Sequence, residues 1–426
     1  MPLKIAEYDR NILKLFSGTA IAQGVSFCTI PIVAKLYGPS EYGTYGGFFA
    51  AVMILSVLAT ARYELAIMTP EDDDEVAIIM KLTSWITLIV CFGAFVIIAF
   101  IPLSLLNALL DVKSGSRIAF ILIPVGAYLL AQFQIYNNWL VRKKQYLQLS
   151  VNKLLRSFLF ALTSIAIGLI APKAVLLAVS LIVSHIASNI FLRVKNIELR
   201  LDLILFPSKA LRFSMLKAAN AYRQYPAYIL PAELMNVICT QLPVFVFLWC
   251  FNSSESGYFS FIISLLNIPI SLLANAILDV FKEKASSDYR REGSCQAVYL
   301  STLKKMVVVA ILPFIVLYFF GSNLITLFFG EEWSQAGKFL DVLLPMFFFK
   351  FISSPLSFVF YIVNRQKEDF LWHMYIMATN LIALYIGAGI YRDILLAVRL
   401  YSINFTIIYI IYLIRSFQLS RHKIFS

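Results

Sequence analysis

The sequence predicts an all-α integral membrane protein with about twelve transmembrane helices, and three observations lead to that prediction. About twelve long apolar stretches run between Ile12 and Arg415, and each is close to the roughly 20 residues that a helix needs to cross a bilayer. The 426 residues are 60% hydrophobic and 14% charged, whereas a soluble domain has about 25% charged residues. The connections are short. Since the apolar runs lack the alternation of a membrane barrel, and lipid offers backbone groups no partners, each run is predicted to be a helix.

Each predicted span is one continuous apolar run, bounded by the polar residues of the connections. An even number of spans agrees with the charge pattern of those connections. The predicted spans are Leu13–Leu36, Gly43–Met68, Ala77–Leu105, Arg117–Asn137, Val151–Ile170, Ala174–Leu192, Tyr228–Cys250, Gly257–Phe281, Val298–Gly321, Phe339–Val363, Phe370–Ile390 and Asp393–Ile414.

The net charge of +12 is distributed unevenly among the connections. Basic residues concentrate in alternate connections, for example at Arg142–Lys144 and Arg193–Arg223, while the intervening connections have few. Cytoplasmic connections of membrane proteins have this excess of Lys and Arg, so the pattern places both termini in the cytoplasm. It also explains the positive charge by orientation and by contact with anionic membrane lipid, so that no nucleic-acid partner is expected.

The sequence contains none of the motifs that would indicate an enzyme. Gly-rich phosphate loops, HExxH, GxSxG and Ser/His/Asp arrangements are absent. No CxxC pair or His spacing suggests a metal ion, and no cofactor is expected. The acidic run Glu71–Glu75 is interpreted as a solvated turn with helix N-terminal charge. Metal binding or nucleotide-sugar chemistry is the alternative for this run.

A short repeat suggests that the chain consists of two related halves. Ser40–Tyr45 and Ser254–Phe259 have similar sequences, are offset by about half the chain, and both fall at outer turns of the predicted topology. Duplication of a six-helix unit predicts this arrangement, with the two repeats parallel because six crossings return the chain to its starting side. We therefore predict an N-terminal lobe at 1–193, a cytoplasmic interfacial linker at 194–222 and a C-terminal lobe at 223–426, with a central cavity between the lobes.

Two basic residues within spans are the strongest candidates for a binding site. A charge at a helix centre costs roughly 2.5–3.5 kcal/mol, so such residues usually have a function. Lys350 lies near the middle of the tenth span, where it either lines a polar cavity or pairs with another helix. Arg62 lies near the inner end of the second span and is either an anion-binding residue or an interfacial anchor. Two residues from it on the predicted helix, Glu64 is expected to point to another face.

Other polar residues in the spans complete the set of candidates. Arg399 is predicted to be an anchor or a ligand. Glu64, Glu233 and Asp279 are candidate carriers of a coupling proton or sodium ion, and for Glu233 and Asp279 the alternative is a pair with a nearby Lys. Amides in spans often only join helices, but their concentration here suggests a hydrated cavity. The amides assigned to that cavity are Gln23, Asn236, Gln241, Asn267 and Asn275.

Several strings resemble a known family of membrane proteins. The first half contains LYGPSEYG at 36–43 and ARYELAI at 61–67, and the second half contains QLP at 241–243 and GYF at 257–259. In these strings the chain resembles the Wzx-type polysaccharide flippases. Those belong to the multidrug/oligosaccharidyl-lipid/polysaccharide exporter superfamily, which also includes the multidrug and toxin extruders and the lipid II flippase.

The resemblance implies a V-shaped pair of six-helix lobes that work by alternating access in the bacterial cytoplasmic (inner) membrane. Such proteins move an undecaprenyl-diphosphate-linked oligosaccharide to the periplasmic leaflet for O-antigen, capsule or exopolysaccharide biosynthesis, and contacts with polysaccharide polymerase and chain-length machinery are expected. Arg62 and Lys350 would bind the diphosphate, the amides would bind sugars, and a proton or sodium gradient would drive transport. The lipid II branch has basic residues in its first and eighth spans, where this chain has Gln23 and Asn275.

Two alternative functions make different demands on the sequence. A multidrug/cation antiporter of the same superfamily would have a carboxylate deep in its cavity and little fixed positive charge, which disagrees with Lys350. A membrane polysaccharide polymerase or ligase would have a large periplasmic segment bearing Arg and His. The longest outer connection, Gly321–Lys338, is short for that class.

Overall fold

The computed structural model describes residues 2–110, 117–195, 208–363 and 365–421, with only the backbone described at a few further positions, including 2–17, 275 and 279. Every regular element in these ranges is helical, and they contain no strand. The predicted all-α class is therefore confirmed.

Fourteen α-helices are joined by short turns in the described ranges. The first seven are α1 (Pro2–Thr60), α2 (Asp73–Phe100), α3 (Leu103–Leu110), α4 (Arg117–Arg142), α5 (Tyr146–Ile170), α6 (Ala174–Lys195) and α7 (Lys209–Ala221). The others are α8 (Leu230–Cys250), α9 (Ser253–Glu292), α10 (Gln296–Phe329), α11 (Ser334–Leu356), α12 (Val359–Ile362), α13 (Gln366–Leu384) and α14 (Ile394–Ser420).

The number of spans depends on how α1 is counted. In the described part of the chain, 11 helices are long and apolar enough to cross a membrane, and the first of these, Gly18–Thr60, has 43 residues. At 1.5 Å per residue it measures about 65 Å, roughly twice the thickness of the hydrocarbon layer. Gly38 interrupts it with φ 71° and ψ 169°, a conformation that glycine adopts at low cost. Two spans therefore meet at Gly38, which agrees with the predicted total of about twelve.

The second predicted span ends earlier than expected. Its helix stops at Thr60, because Ala61 and Arg62 adopt left-handed backbone angles with φ of 48° and 62°. A 3₁₀ helix, Tyr63–Met68, follows. The string at 61–67 thus forms a sharp turn rather than the end of a membrane helix.

The chain divides into two compact units, which are described separately. The first consists of Met1–Tyr37 and Thr44–Gln241, and the second of Gly38–Gly43 and Leu242–Ser426. The lobe boundaries predicted from sequence stay a prediction. Residues 196–207 of the predicted linker lie outside the described residues, and after them α7 begins at an N-cap in which Ser208 accepts a hydrogen bond from the Leu211 N–H at 3.3 Å.

In the first unit, α4 packs against both α2 and α6, and α5 packs on α6. Ile79 of α2, Tyr136 and Leu140 of α4, and Leu192 of α6 are buried in the core that these helices share. Since lipid is as apolar as these side chains, close packing rather than exclusion of water favours the association within the bilayer.

The acidic run forms the start of α2 and joins it to neighbouring helices. The Asp72 carboxylate caps α2 by accepting the Asp74 N–H at 3.1 Å. Asp73 forms an ion pair with Arg142 of α4 at 3.2 Å, and Glu75 accepts the Tyr222 hydroxyl at 3.0 Å. These contacts agree with the interpretation of the run as a turn with helix N-terminal charge.

In the second unit, α11 is the central helix and packs against α9, α10 and α14. Its buried residues Phe339 and Phe347 face these neighbours, and Trp333 before it is fully buried, 4.7 Å from the ring of Phe261 on α9. The central position of α11 determines where Lys350 lies.

The two repeated strings meet within the second unit. The Ser40 and Ser253 hydroxyls are 2.8 Å apart, and a Cβ atom at Gly43 would lie 2.6 Å from the Gly257 nitrogen. It would also overlap the Ser253 carbonyl oxygen, just as a Cβ atom at Gly257 would overlap that of Pro39. Backbone therefore touches backbone here, and we call this the glycine contact.

The glycine contact predicts that Gly257→Ala destabilises the protein. The added methyl group has no space, and overpacking of this kind costs about 1–3 kcal/mol. Gly93→Ala is the matched control, because a Cβ atom there meets nothing within 4 Å and α2 would gain about 0.5–1 kcal/mol. Thermal unfolding of the two purified variants in detergent tests this, and an equal midpoint for both would contradict it.

Candidate functional site

In the first unit, Arg62 lies between two carboxylates. Its Nη1 is 3.0 Å from Oε1 of Glu64, and its Nη2 is 3.4 Å from Oε2 of Glu233 near the start of α8. The expectation that Arg62 and Glu64 point to different faces is wrong. It assumed a helix through both residues, whereas the left-handed turn at Ala61 and Arg62 folds the guanidinium back over the Glu64 carboxylate.

The side chains of Arg62, Glu64 and Glu233 are buried to different extents. The side chain of Glu64 is 1% exposed, that of Arg62 15% and that of Glu233 32%. Burial raises the pKa of the Glu64 carboxyl above its ordinary range, while the neighbouring Arg62 acts in the opposite direction. One guanidinium and two carboxylates, each counted in its ordinary charged form, sum to a formal charge of about −1. The group is therefore suited to hold a proton or a small cation, and it disfavours a diphosphate.

In the second unit, Lys350 lies within α11 and has a neutral partner. Its ammonium donates a hydrogen bond to Oδ1 of Asn267 on α9 at 2.7 Å, and it lies 5.3 Å from the centroid of the Phe347 ring. No carboxylate oxygen of a described side chain lies within 4.0 Å of the Lys350 ammonium, the distance at which the two would form an ion pair. The Lys350 charge is therefore not neutralised by any described group, and this is the property that a site for an anion requires.

The structure joins three of the predicted site residues in one group and two in another, and it leaves the others apart from them. It brings Arg62 together with Glu64 and Glu233, and it brings Lys350 together with Asn267. Asn236 and Arg399 are exposed, which fits an anchor at Arg399, and Gln241 is half-buried. The Gln23 side-chain oxygen is buried and has no hydrogen-bond partner in the described structure. The side chains of Asn275 and Asp279 lie outside the described residues.

Reasoning from the sequence missed two basic residues on α5. Lys153 and Arg156 lie about two to three turns into this helix, and Arg156 stacks on Phe133 with 4.5 Å from its guanidinium carbon to the ring centroid. The available signal was the spacing: two basic residues three apart share one face of a helix. The predicted span Val151–Ile170 already contained both.

Comparison with known proteins identifies similar sequences and folds. The family described as polysaccharide biosynthesis protein matches residues 32–338, more than half of the chain. The succinoglycan biosynthesis transport protein ExoT of Rhizobium meliloti (strain 1021) is 25% identical over 325 residues, which cover 75% of this chain and 62% of that protein. The chain thus matches less than two thirds of the length of that relative.

Two solved structures of transporters resemble the fold. The lipid II flippase MurJ in an inward closed conformation has a TM-score of 0.74 at 14% identity, covering 95% of this chain and 90% of that one. A multidrug resistance MATE family transporter of the MOP superfamily, inward-facing, has a TM-score of 0.71 at 13% identity, covering 92% and 93%. At such low identity, the similarity shows the fold alone, which is that of a multi-pass helical membrane protein.

The pairing of Arg62 predicts a large loss of stability when the guanidinium is removed. Arg62→Ala leaves the buried Glu64 carboxylate without its cation, and breaking such a pair costs about 3–5 kcal/mol. The double variant Arg62→Ala/Glu64→Gln should regain most of the loss. In the single variant the loss should shrink as pH falls, because a protonated Glu64 needs no cation. Thermal unfolding at two pH values measures both effects, and a single variant as stable as the wild type would contradict the pairing.

Proposed function

Because the chain belongs to the polysaccharide biosynthesis protein family, we propose that it is a flippase for an undecaprenyl-diphosphate-linked oligosaccharide. It moves this lipid from the cytoplasmic to the periplasmic leaflet of the bacterial inner membrane for surface polysaccharide biosynthesis. The observation that carries the proposal is the Lys350 ammonium of α11, which donates a hydrogen bond of 2.7 Å to the neutral amide of Asn267.

A lysine in this position is costly unless it has a use. Its charge costs roughly 2.5–3.5 kcal/mol at the centre of a membrane helix. A carboxylate partner would reduce that cost but would also cancel the charge. Asn267 instead fixes the position of the Lys350 ammonium and leaves its other donors for a phosphate oxygen, with which it would form a charge-assisted hydrogen bond.

The two alternative functions fit these contacts less well. A multidrug/cation antiporter would need a negative charge where the second unit has Lys350, so the positive charge disfavours a cationic substrate. A polysaccharide polymerase or ligase is an enzyme, whereas the relative and both structural neighbours described above are named as transporters or flippases. Transport without chemistry on the substrate is the better proposal.

We assign ion coupling to Arg62, Glu64 and Glu233. The group has a formal charge of about −1, and Glu233 is exposed enough to exchange a proton or a sodium ion with water. Binding of such a cation would neutralise the group and change the attraction that holds Arg62 to Glu233. The basic residue that binds the substrate and the carboxylates that bind the coupling ion are then different residues, so their roles can be tested separately.

The first test removes the positive charge of Lys350, which is proposed to bind the substrate. Lys350→Ala and Lys350→Gln should lower the flipping rate at least about tenfold, because each loses a charge-assisted hydrogen bond to the phosphate. Flipping of a fluorescent undecaprenyl-diphosphate oligosaccharide in proteoliposomes measures this, together with surface polysaccharide in a strain that lacks its own copy of the protein.

Lys338→Ala is the matched control for this test. Lys338 lies on the same helix as Lys350 but is exposed, and its loss should leave the rate close to that of the wild type. Protein abundance is measured in every strain. If the Lys350 variants flip the lipid at the wild-type rate while equally abundant, the proposed site is wrong.

The second test removes the coupling carboxylate. Glu233→Gln should abolish the acceleration of flipping by an imposed proton or sodium gradient and leave substrate binding unchanged, since it keeps the shape but loses the charge. Applying the two gradients separately identifies the ion. Glu283→Gln changes an exposed carboxylate on α9 and is the control. Undiminished gradient dependence in Glu233→Gln would exclude Glu233 from coupling.

A further inference from the structure

A second group of basic and polar side chains lies among α4, α5 and α6 of the first unit, and the function proposed above does not use it. The guanidinium carbon of Arg156 is 4.5 Å from the centroid of the Phe133 ring on α4. The His185 ring of α6 meets the same ring edge-on, with 6.1 Å between the centroids. The Phe133 ring therefore contacts one residue of α5 and one residue of α6.

The two cations of this group have no anionic partner in the part of the chain that the structure describes. Arg156 and Lys153 are three residues apart on α5 and so lie on one face of the helix. Neither forms an ion pair or a hydrogen bond with a described residue, and Arg156 is close enough to Lys153 for its charge to act on the Lys153 ammonium. Two uncompensated positive charges side by side repel each other unless an anion lies between them.

Buried polar atoms without partners lie on the same helices, α5 and α6, as the residues around Phe133. Asn152, one turn before Arg156, is 0% exposed, and neither its amide nitrogen nor its amide oxygen has a hydrogen-bond partner in the described structure. Nδ1 of His185, which is 5% exposed, and Oγ of Ser188 on the next turn of α6 are also buried without a partner. More than about 90% of buried polar groups in proteins are hydrogen-bonded, so a cluster of unpaired ones indicates a ligand site.

We infer that this cluster is a binding site for a phosphate-type anion. The Arg156 guanidinium can bind two phosphate oxygens at once, and stacking on Phe133 fixes its plane. Lys153 supplies a second positive charge, and the amide of Asn152 and the ring nitrogen of His185 can donate to further oxygens. The ligand is either the head of an anionic lipid or a free phosphate or diphosphate, which share this chemistry. The inference stands independently of the flippase proposal.

The test is a binding titration in detergent with two probes. Sodium diphosphate represents the free anion, and phosphatidic acid in mixed micelles represents the lipid head. The titration uses the Lys350→Gln chain, so that binding at Lys350 does not contribute to the signal. We expect at least one probe to bind, as measured by calorimetry and by a rise in the unfolding temperature. Binding of diphosphate alone identifies a free anion, binding of phosphatidic acid alone identifies a lipid head, and binding of neither overturns the inference.

Variants of Arg156 locate the binding. Adding Arg156→Gln to the Lys350→Gln chain should raise the dissociation constant of the anion by about tenfold or more, because a bidentate charge-assisted contact is lost. Arg290→Gln replaces an exposed arginine of α9 and should change nothing. A folded Arg156→Gln chain that binds as tightly as its parent would overturn the inference.

Asn152→Leu separates a binding role from a structural one, including the case in which Arg156→Gln fails to fold. Leucine has a similar size and leaves no unpaired amide, so the unliganded protein should be at least as stable as its parent. The anion should nevertheless bind several-fold more weakly, since two donors are gone. Unchanged affinity in Asn152→Leu would remove Asn152 from the site, and the inference as stated would be wrong.

Discussion

The constraint on which the structure depends is the cost of polarity in lipid. Backbone amides without water must bond within their own segment, so every regular element in the described ranges is helical. The same cost applies to every charged side chain within a span. That cost is reduced when the charge is neutralised by a partner, reaches an exposed position or binds a ligand.

Each outcome has an example in this chain. Arg62 is neutralised, because Glu64 and Glu233 both lie within ion-pair distance of its guanidinium. Arg399 reaches an exposed position on α14. Lys350 has a neutral amide as its partner, so its charge stays available. Two cations that were equivalent candidates in the sequence thus differ in their surroundings, because carboxylates accompany Arg62 and a neutral amide accompanies Lys350.

Most of the fold could be predicted from the sequence, because continuous apolar length and alternating basic connections are properties of the chain itself. The site was predictable only in part. Lys350 could be identified as a candidate because it lies deep in an apolar run. No sequence pattern predicted Asn267 of α9 as its partner, since the two residues are 83 positions apart in the chain. The pairing of Arg62 was missed because it depends on left-handed backbone at Ala61 and Arg62, which neither residue type favours. Arg156 went unnoticed since its significance lies in neighbours from other helices.

The glycine contact has a mechanical consequence. The two backbones touch through Gly43 and Gly257, and beside them the buried Tyr42 ring packs edge-on against the rings of Phe261 and Trp333, with 6.2 Å between centroids in each case. Touching main chains and interlocked rings together make this part of the second unit a rigid junction. A larger side chain at either glycine would separate the backbones and with them the rings, so small size at these two positions is what holds the junction together.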